Sequence, residues 1–147
     1  MTTEQADLHA AVAESLRNAS QRYTKNRRDV VHILDQAERP LTIPEILEHG
    51  EGLAQSSVYR NLAVLEESGV VHRVRSTDEW ARYELTEDLT GHHHHLICST
   101  CGNVDDFTVP PALEEALHHA FENVAGATGF TPDDHRLDLV GTCARCD

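Results

Sequence analysis

Apolar positions in this chain follow a helical rhythm through the first half and short alternating runs thereafter. Leu8, Ala11, Val12 and Leu16 recur at three-and-four spacing, which predicts a helix over residues 1–20. Thr24 can cap a second helix that carries Val30, Val31, Ile33 and Leu34 and ends near Ala37, before Pro40. Thr42 and Glu45 have capping-box spacing, so Ile46 and Leu47 belong to a short third helix closed at Gly50. A fourth helix is expected from about Ser56 to Ser68, with Val58, Leu62 and Leu65 as its buried face and Gly69 as its stop.

Two alternating segments follow, Val70–Arg75 and Trp80–Leu85, joined by the turn Ser76-Thr77-Asp78-Glu79. Helices followed by a two-stranded ribbon are the plan of a winged helix-turn-helix, in which the fourth helix here would enter the DNA groove. Further on, Val104–Val109 reads as a strand, Pro110 and Pro111 open a helix through about Val124, and His135–Val140 alternates as a last strand. The expected fold class is α+β, with a winged helix-turn-helix over residues 1–85, a hinge over 86–91 and a small α/β domain over 92–147.

At 147 residues the chain is one large domain or two small ones, and its formal net charge of -13 opposes nucleic acid overall. That charge is segregated, however: Arg17, Arg22, Lys25, Arg27 and Arg28 occur with no acid among them. Such a run is either a solvated helix face or a set of phosphate contacts. Gln55, Ser56, Ser57, Tyr59 and Arg60, early in the fourth helix, could reach bases and phosphates. An ordinary helical core would need no Tyr-Arg pair there, so double-stranded operator DNA is the expected partner. No apolar run approaches membrane-spanning length, and the opening residues lack the basic start and apolar core of a signal peptide. The expectation is a cytoplasmic protein with no membrane partner, whose cysteines stay reduced.

The chemistry concentrates in one stretch. His92-His93-His94-His95-Leu96-Ile97-Cys98-Ser99-Thr100-Cys101 carries four imidazoles and two thiols, and Cys143-Ala144-Arg145-Cys146 repeats the C-x-x-C spacing. Neutral imidazole and thiolate are preferred ligands of zinc and similar ions. Cys98, Cys101, Cys143 and Cys146 are therefore expected to form a closed structural zinc site. Two disulfides are the alternative, which the inferred compartment disfavours. An expression tag would also give a His run, but this one is internal. If the run enters a strand, alternation sends His92 and His94 to one face and His93 and His95 to the other. One strand could then serve two metal groups, the bland alternative being that some of these histidines are merely solvated.

Taken together, Ser57-Val58-Tyr59-Arg60-Asn61-Leu62, Tyr83-Glu84-Leu85-Thr86, the His92–Gly102 stretch and Gly141-Thr142-Cys143-x-x-Cys146 resemble the Fur superfamily of metal-sensing repressors, most of all its zinc-uptake branch. The likeness covers nearly the whole chain after residue 20. It implies a winged helix, a short hinge and a dimerisation domain that makes the protein a homodimer. It assigns DNA contact to Tyr59 and Arg60 and structural zinc to the two C-x-x-C pairs. His92, His94, Glu114 and His135 match a metal site within the dimerisation domain. His93 and His95 with Glu84 match a regulatory site at the hinge, to which some members add the position of His72.

Departures from the family pattern bear on the metal. Pro40 stands where iron-type members place a histidine, and Thr86 where some zinc-type members place a cysteine. Two extra residues between Glu84 and the His run make Glu87 or Asp88 substitutes for Glu84. A small insertion at Gly126–Gly129 leaves Glu114 set against Glu115. Imidazole-rich, aspartate-poor ligand sets favour zinc, two to three ions per chain by the resemblance, with Fe(2+) or Ni(2+) as alternatives at the regulatory site. The implied function is a metal-dependent repressor of metal-homeostasis genes, with no small-molecule substrate. A small zinc metallohydrolase or a metal storage protein would share the ligands. Neither explains the winged helix, and no H-e-x-x-H-type motif is present.

Overall fold

The computed structural model describes residues 1–147. Six helices and six strands follow in order: α1 (Thr3–Asn18), α2 (Lys25–Ala37), β1 (Leu41–Thr42), α3 (Ile43–His49), α4 (Gln55–Glu67), β2 (Val71–Val74), β3 (Arg82–Leu85), α5 (Glu87–Thr90), β4 (His94–Cys98), β5 (Val104–Phe107), α6 (Pro111–Thr128) and β6 (Asp138–Gly141). Helices α2 and α3 start where their caps place them. The Thr24 hydroxyl accepts the Arg27 N–H at 3.3 Å, and Thr42 and Glu45 form the reciprocal capping box that starts α3. Gly129 closes α6 in the left-handed region at φ 72°, which glycine adopts without strain.

A first sheet runs in the order β1-β3-β2, with β3 antiparallel to both neighbours. Sixteen buried residues, among them Val12, Leu16, Val30, Leu34, Ile46, Val58, Leu62, Leu65, Val71 and Leu85, weld α1–α4 to this sheet in one core. This is the winged helix, with β2 and β3 as the wing. The second sheet runs β5-β4-β6, antiparallel between β4 and β5 and parallel between β4 and β6. Its apolar cluster contains only Val74, Ile97 and Val104, and Val74 comes from the wing.

The wing turn is fastened to the second sheet. The Ser76 hydroxyl donates to the Gly102 carbonyl at 2.5 Å and the Thr77 hydroxyl to the Cys98 carbonyl at 2.8 Å. Asp78 occupies the notch beside Gly102, where a Cβ would lie 2.1 Å from its carboxylate. Buried Arg82 donates to both Asp78 oxygens, at 2.7 and 2.9 Å.

Several expectations are corrected. β1 is absent from the sequence reading because two residues carry no alternation; Leu41 and Thr42 pair with Tyr83 and Arg82. The wing strands are shorter than Val70–Arg75 and Trp80–Leu85, since pairing stops at Val74 opposite Arg82. Within residues 86–91, for which no element was expected, Glu87–Thr90 forms a turn of helix. Helix α6 continues to Thr128, so Gly126 lies within it. The last strand begins at Asp138, opposite His95, which leaves His135 in the loop before it. No helix is long and apolar enough to cross a membrane.

Candidate metal centres

Strand β4 opens out of the His run, and its pleat deals the imidazoles to opposite faces. Four compact groups of donor atoms result, each with all its ligand atoms within 4.8 Å of one another: Cys98, Cys101, Cys143 and Cys146; His92, His94, Glu114 and His135; Glu84, His93, His95 and Asp106; and a smaller one, Glu87, His92 and Asp134, which shares His92 with the second.

In the cysteine group the β4–β6 pairing brings the two C-x-x-C turns together, with Cys98 opposite Gly141. All four are free thiols. Cys101 and Cys143 sulfurs stand 3.8 Å apart, the edge of a tetrahedron whose metal–sulfur bonds are about 2.3 Å. Backbone N–H groups of Cys101 and Cys143 point at Cys98 Sγ from 3.5 and 3.4 Å. They lower the Cys98 thiol to about 5, favouring the thiolate that a metal takes. Cys146, crowded by Cys143 and Cys101, is pushed up to about 12, as expected when neighbouring thiols compete for a shared proton.

The second, inner group joins β4 to α6. His94, almost fully buried, contacts Glu114 through Nε2. His92 Nε2 lies 3.1 Å from His135 Nε2 and 3.4 Å from Glu114 Oε2, and His135 Nε2 lies 3.6 Å from that same oxygen. Bonds of about 2.0–2.1 Å to nitrogen give a tetrahedral edge of about 3.4 Å. Two imidazole nitrogens facing each other make sense when both lone pairs serve a cation. The hydrogen bond from His94 holds the Glu114 carboxyl below its ordinary range. Glu115 lies elsewhere, 3.9 Å from His119, and Glu114 is the acid that converges with these imidazoles.

The third group spans the two sheets. Glu84 is on wing strand β3, His95 on β4, Asp106 on β5, and His93 just ahead of β4. Glu84 Oε1 is 2.9 Å from His93 Nε2 and 2.7 Å from His95 Nε2. Burial pushes the Glu84 carboxyl up, but hydrogen bonds from His72, His93 and His95 outweigh it and hold the group well below the carboxylate range. Glu84 in turn raises His93 to about 9. Asp106 goes the other way, to about 7, because it is buried beside the Glu84 charge. Asp106 Oδ1 is buried with no hydrogen-bond partner, a donor atom suited to a divalent cation between the two acids.

Asp106 was not read from the sequence. It lies directly opposite His95 in the β4–β5 register, a pairing that the local sequence Val104-Asp105-Asp106-Phe107 does not signal. Its presence also corrects the description of the ligands as aspartate-poor. His72, on β2 opposite Glu84, reaches Glu84 Oε1 at 2.9 Å but lies outside the compact group. Glu87 and Asp88 do not replace Glu84; Glu87 instead pairs with His92 Nδ1 at 3.0 Å.

The residues read from the sequence as DNA contacts divide as well. Tyr59, Arg60, Arg22, Lys25 and Arg28 are exposed, with Lys25 paired to Asp29 at 2.8 Å and Arg28 stacked over Tyr23. Arg27 is turned inward: it donates to the Arg22 carbonyl at 2.7 Å and to Asn61 at 3.1 Å, which ties α2 to α4. Ser57 accepts from Asn61 and Asn26. A recess of about 320 Å³ lies between Thr24, Arg27, Ser57 and Arg60.

A wing, a groove helix and clustered imidazole, thiol and carboxylate donors define a metal-binding protein built on a DNA-reading scaffold. Residues 18–140 match the ferric uptake regulator family, and the chain belongs to it. It is 32% identical over 137 residues to the peroxide operon regulator of Bacillus subtilis (strain 168), covering 90% of this chain and 89% of that protein. Its fold is that of the Helicobacter pylori ferric uptake regulator (TM-score 0.73, 23% identity, 97% of this chain and 93% of that one). It is also similar to a zinc uptake regulator solved with zinc and DNA (TM-score 0.59, 25% identity, 99% of this chain and 96% of that one).

Proposed function

We propose that this protein is a metal-dependent transcriptional repressor that binds operator DNA as a homodimer when its hinge group is loaded, and that it has no enzymatic activity. The observation that carries this is the convergence of Glu84, from the wing, with His93, His95 and Asp106 across the hinge. A cation there joins the DNA-reading half to the other half and favours one orientation of the winged helix. By linkage, DNA then tightens metal binding by the same factor. Dimerisation is supported by the apolar side chains left outward on α6 and β6, including Leu113, Phe121, Val124, Leu139 and Val140. A second copy would cover them.

Zinc is the ion we assign: four thiols suit a closed structural zinc, and three imidazoles with one carboxylate suit a second. The hinge group, with two imidazoles and two carboxylates, is a harder set, and Asp106 favours iron(II) there as the second reading. Zinc, iron(II) and nickel are titrated into protein stripped of exchangeable metal, counting ions per chain and following retention of operator DNA. Retention with zinc beyond one tightly held ion supports the first reading, and retention with iron(II) alone selects the second. No retention with any metal contradicts the proposal. His93→Ala is expected to keep the fold and lose metal-dependent retention; unaltered retention would move sensing to the inner group.

A further inference from the structure

Glu87 lies outside the three four-residue groups, in the smaller one with Asp134 that shares His92 with the inner group. Its carboxylate oxygens stand 3.0 and 3.1 Å from His92 Nδ1. The opposite nitrogen of that ring, Nε2, faces His135 at 3.1 Å and Glu114 at 3.4 Å. A neutral imidazole carries one proton and one lone pair. Acids face both nitrogens, but Glu87 is the nearer, 3.0 Å from Nδ1 against 3.4 Å from Nε2 to Glu114, which favours the proton on Nδ1 and leaves the Nε2 lone pair aimed into the inner group. His94 supplies the contrast: its Nε2 also contacts Glu114, but its Nδ1 is buried with no partner.

Glu87 is also attached to the other half of the molecule. It follows Thr86, whose N–H donates to the Val70 carbonyl at 3.0 Å and whose hydroxyl donates to the Gly69 carbonyl at 3.0 Å. Gly69 and Val70 link α4 to β2, so Glu87 extends from the winged-helix half towards an imidazole of the second sheet.

We propose that Glu87 is a positioning residue that fixes His92 in its Nδ1–H tautomer and thereby ties the inner metal group to the winged helix. This rests on the reading of His92, His94, Glu114 and His135 as a metal site. The inner group then belongs to the hinge as much as the Glu84 group does: each takes an acid from the winged-helix side and imidazoles from the His run. Asp134 stands near Glu87 and His92 as well, but its Oδ1 already accepts the His135 N–H at 2.7 Å.

The test uses the full chain with its cysteine group filled and exchangeable metal removed, as wild type, Glu87→Gln and Glu87→Ala. Cobalt(II) spectra and zinc competition report on the inner group, and ¹⁵N NMR of the His92 ring reports the tautomer without metal. Glu87→Ala is expected to weaken the inner group about 10–100-fold and to release His92 into a mixture of tautomers, with the hinge group and the thermal midpoint of the chain holding only its cysteine-bound ion unchanged. Glu87→Gln, which keeps an acceptor oxygen, is expected to fall between. Uptake and tautomer both indifferent to Glu87→Ala overturn the role of Glu87. Loss of one whole ion from the stoichiometry overturns it in favour of a ligand. A wild-type chain that takes no cobalt at the inner group contradicts the metal reading itself.

Discussion

The winged-helix half buries its apolar residues in a single cluster of sixteen, whereas the second sheet has a cluster of three, one of which it borrows from the wing. Helix α6 buries no residue and β6 is exposed along its whole length. What joins α6 to β4 is Glu114 against His94 and His92, and what joins the chain's end to β4 is the parallel β4–β6 ladder with a set of four thiols beyond it. Hydrophobic burial specifies the first half; ligand chemistry specifies the second. That division couples a half held by its own core to a half whose order depends on bound ions.

The comparison can be broken from either side. Cys98→Ser should remove most of what orders β4–β6, since a structural zinc contributes on the order of 10 kcal/mol of apparent folding free energy. Zinc content and the far-ultraviolet spectrum check this, and helices α2–α4 should persist. The reciprocal change, Leu62→Ala at a fully buried core position, should cost about 2–5 kcal/mol without altering metal content, measured by denaturant unfolding of the loaded protein.

Where the halves meet, Asp78→Asn should cost about 1–3 kcal/mol, because Arg82 is buried and loses its charged partner. The hydrogen bond from Arg82 holds the Asp78 carboxyl below its ordinary 3.8. Its contribution is therefore full above that value and disappears as pH falls through the lower folded value. Wild type and Asp78→Asn should converge in acid, and parallel stability curves would show that the wing turn is not held by this charge. The smallest effect is expected for Thr42→Ala, about 1 kcal/mol from loss of the α3 cap, visible as a shifted thermal midpoint with DNA binding retained.

The same contrast governs what was legible in the sequence. Helices of the first half announced themselves through caps and apolar spacing: Thr24, Thr42 with Glu45, and Val58, Leu62 and Leu65 sit as that pattern requires. The second half could be read through its ligand types, since Glu114 and His135 do converge with His92 and His94. Strand boundaries there were harder to read. His135 falls outside β6 because parallel pairing with β4 begins only at Asp138. Asp106 escaped notice because its partnership with His95 is a matter of register between strands, which no local pattern fixes. The short helix at Glu87–Thr90 was hidden for a similar reason: a four-residue turn has no periodicity to detect.

The most direct measurement is hydrogen–deuterium exchange on the full chain before and after a chelator strips all metal. Chelation should deprotect β4, β5, β6 and α6 while α2, α3 and α4 keep their protection. Equal deprotection of both halves, or none in either, would contradict the claim that one half is held by its core and the other by its metals.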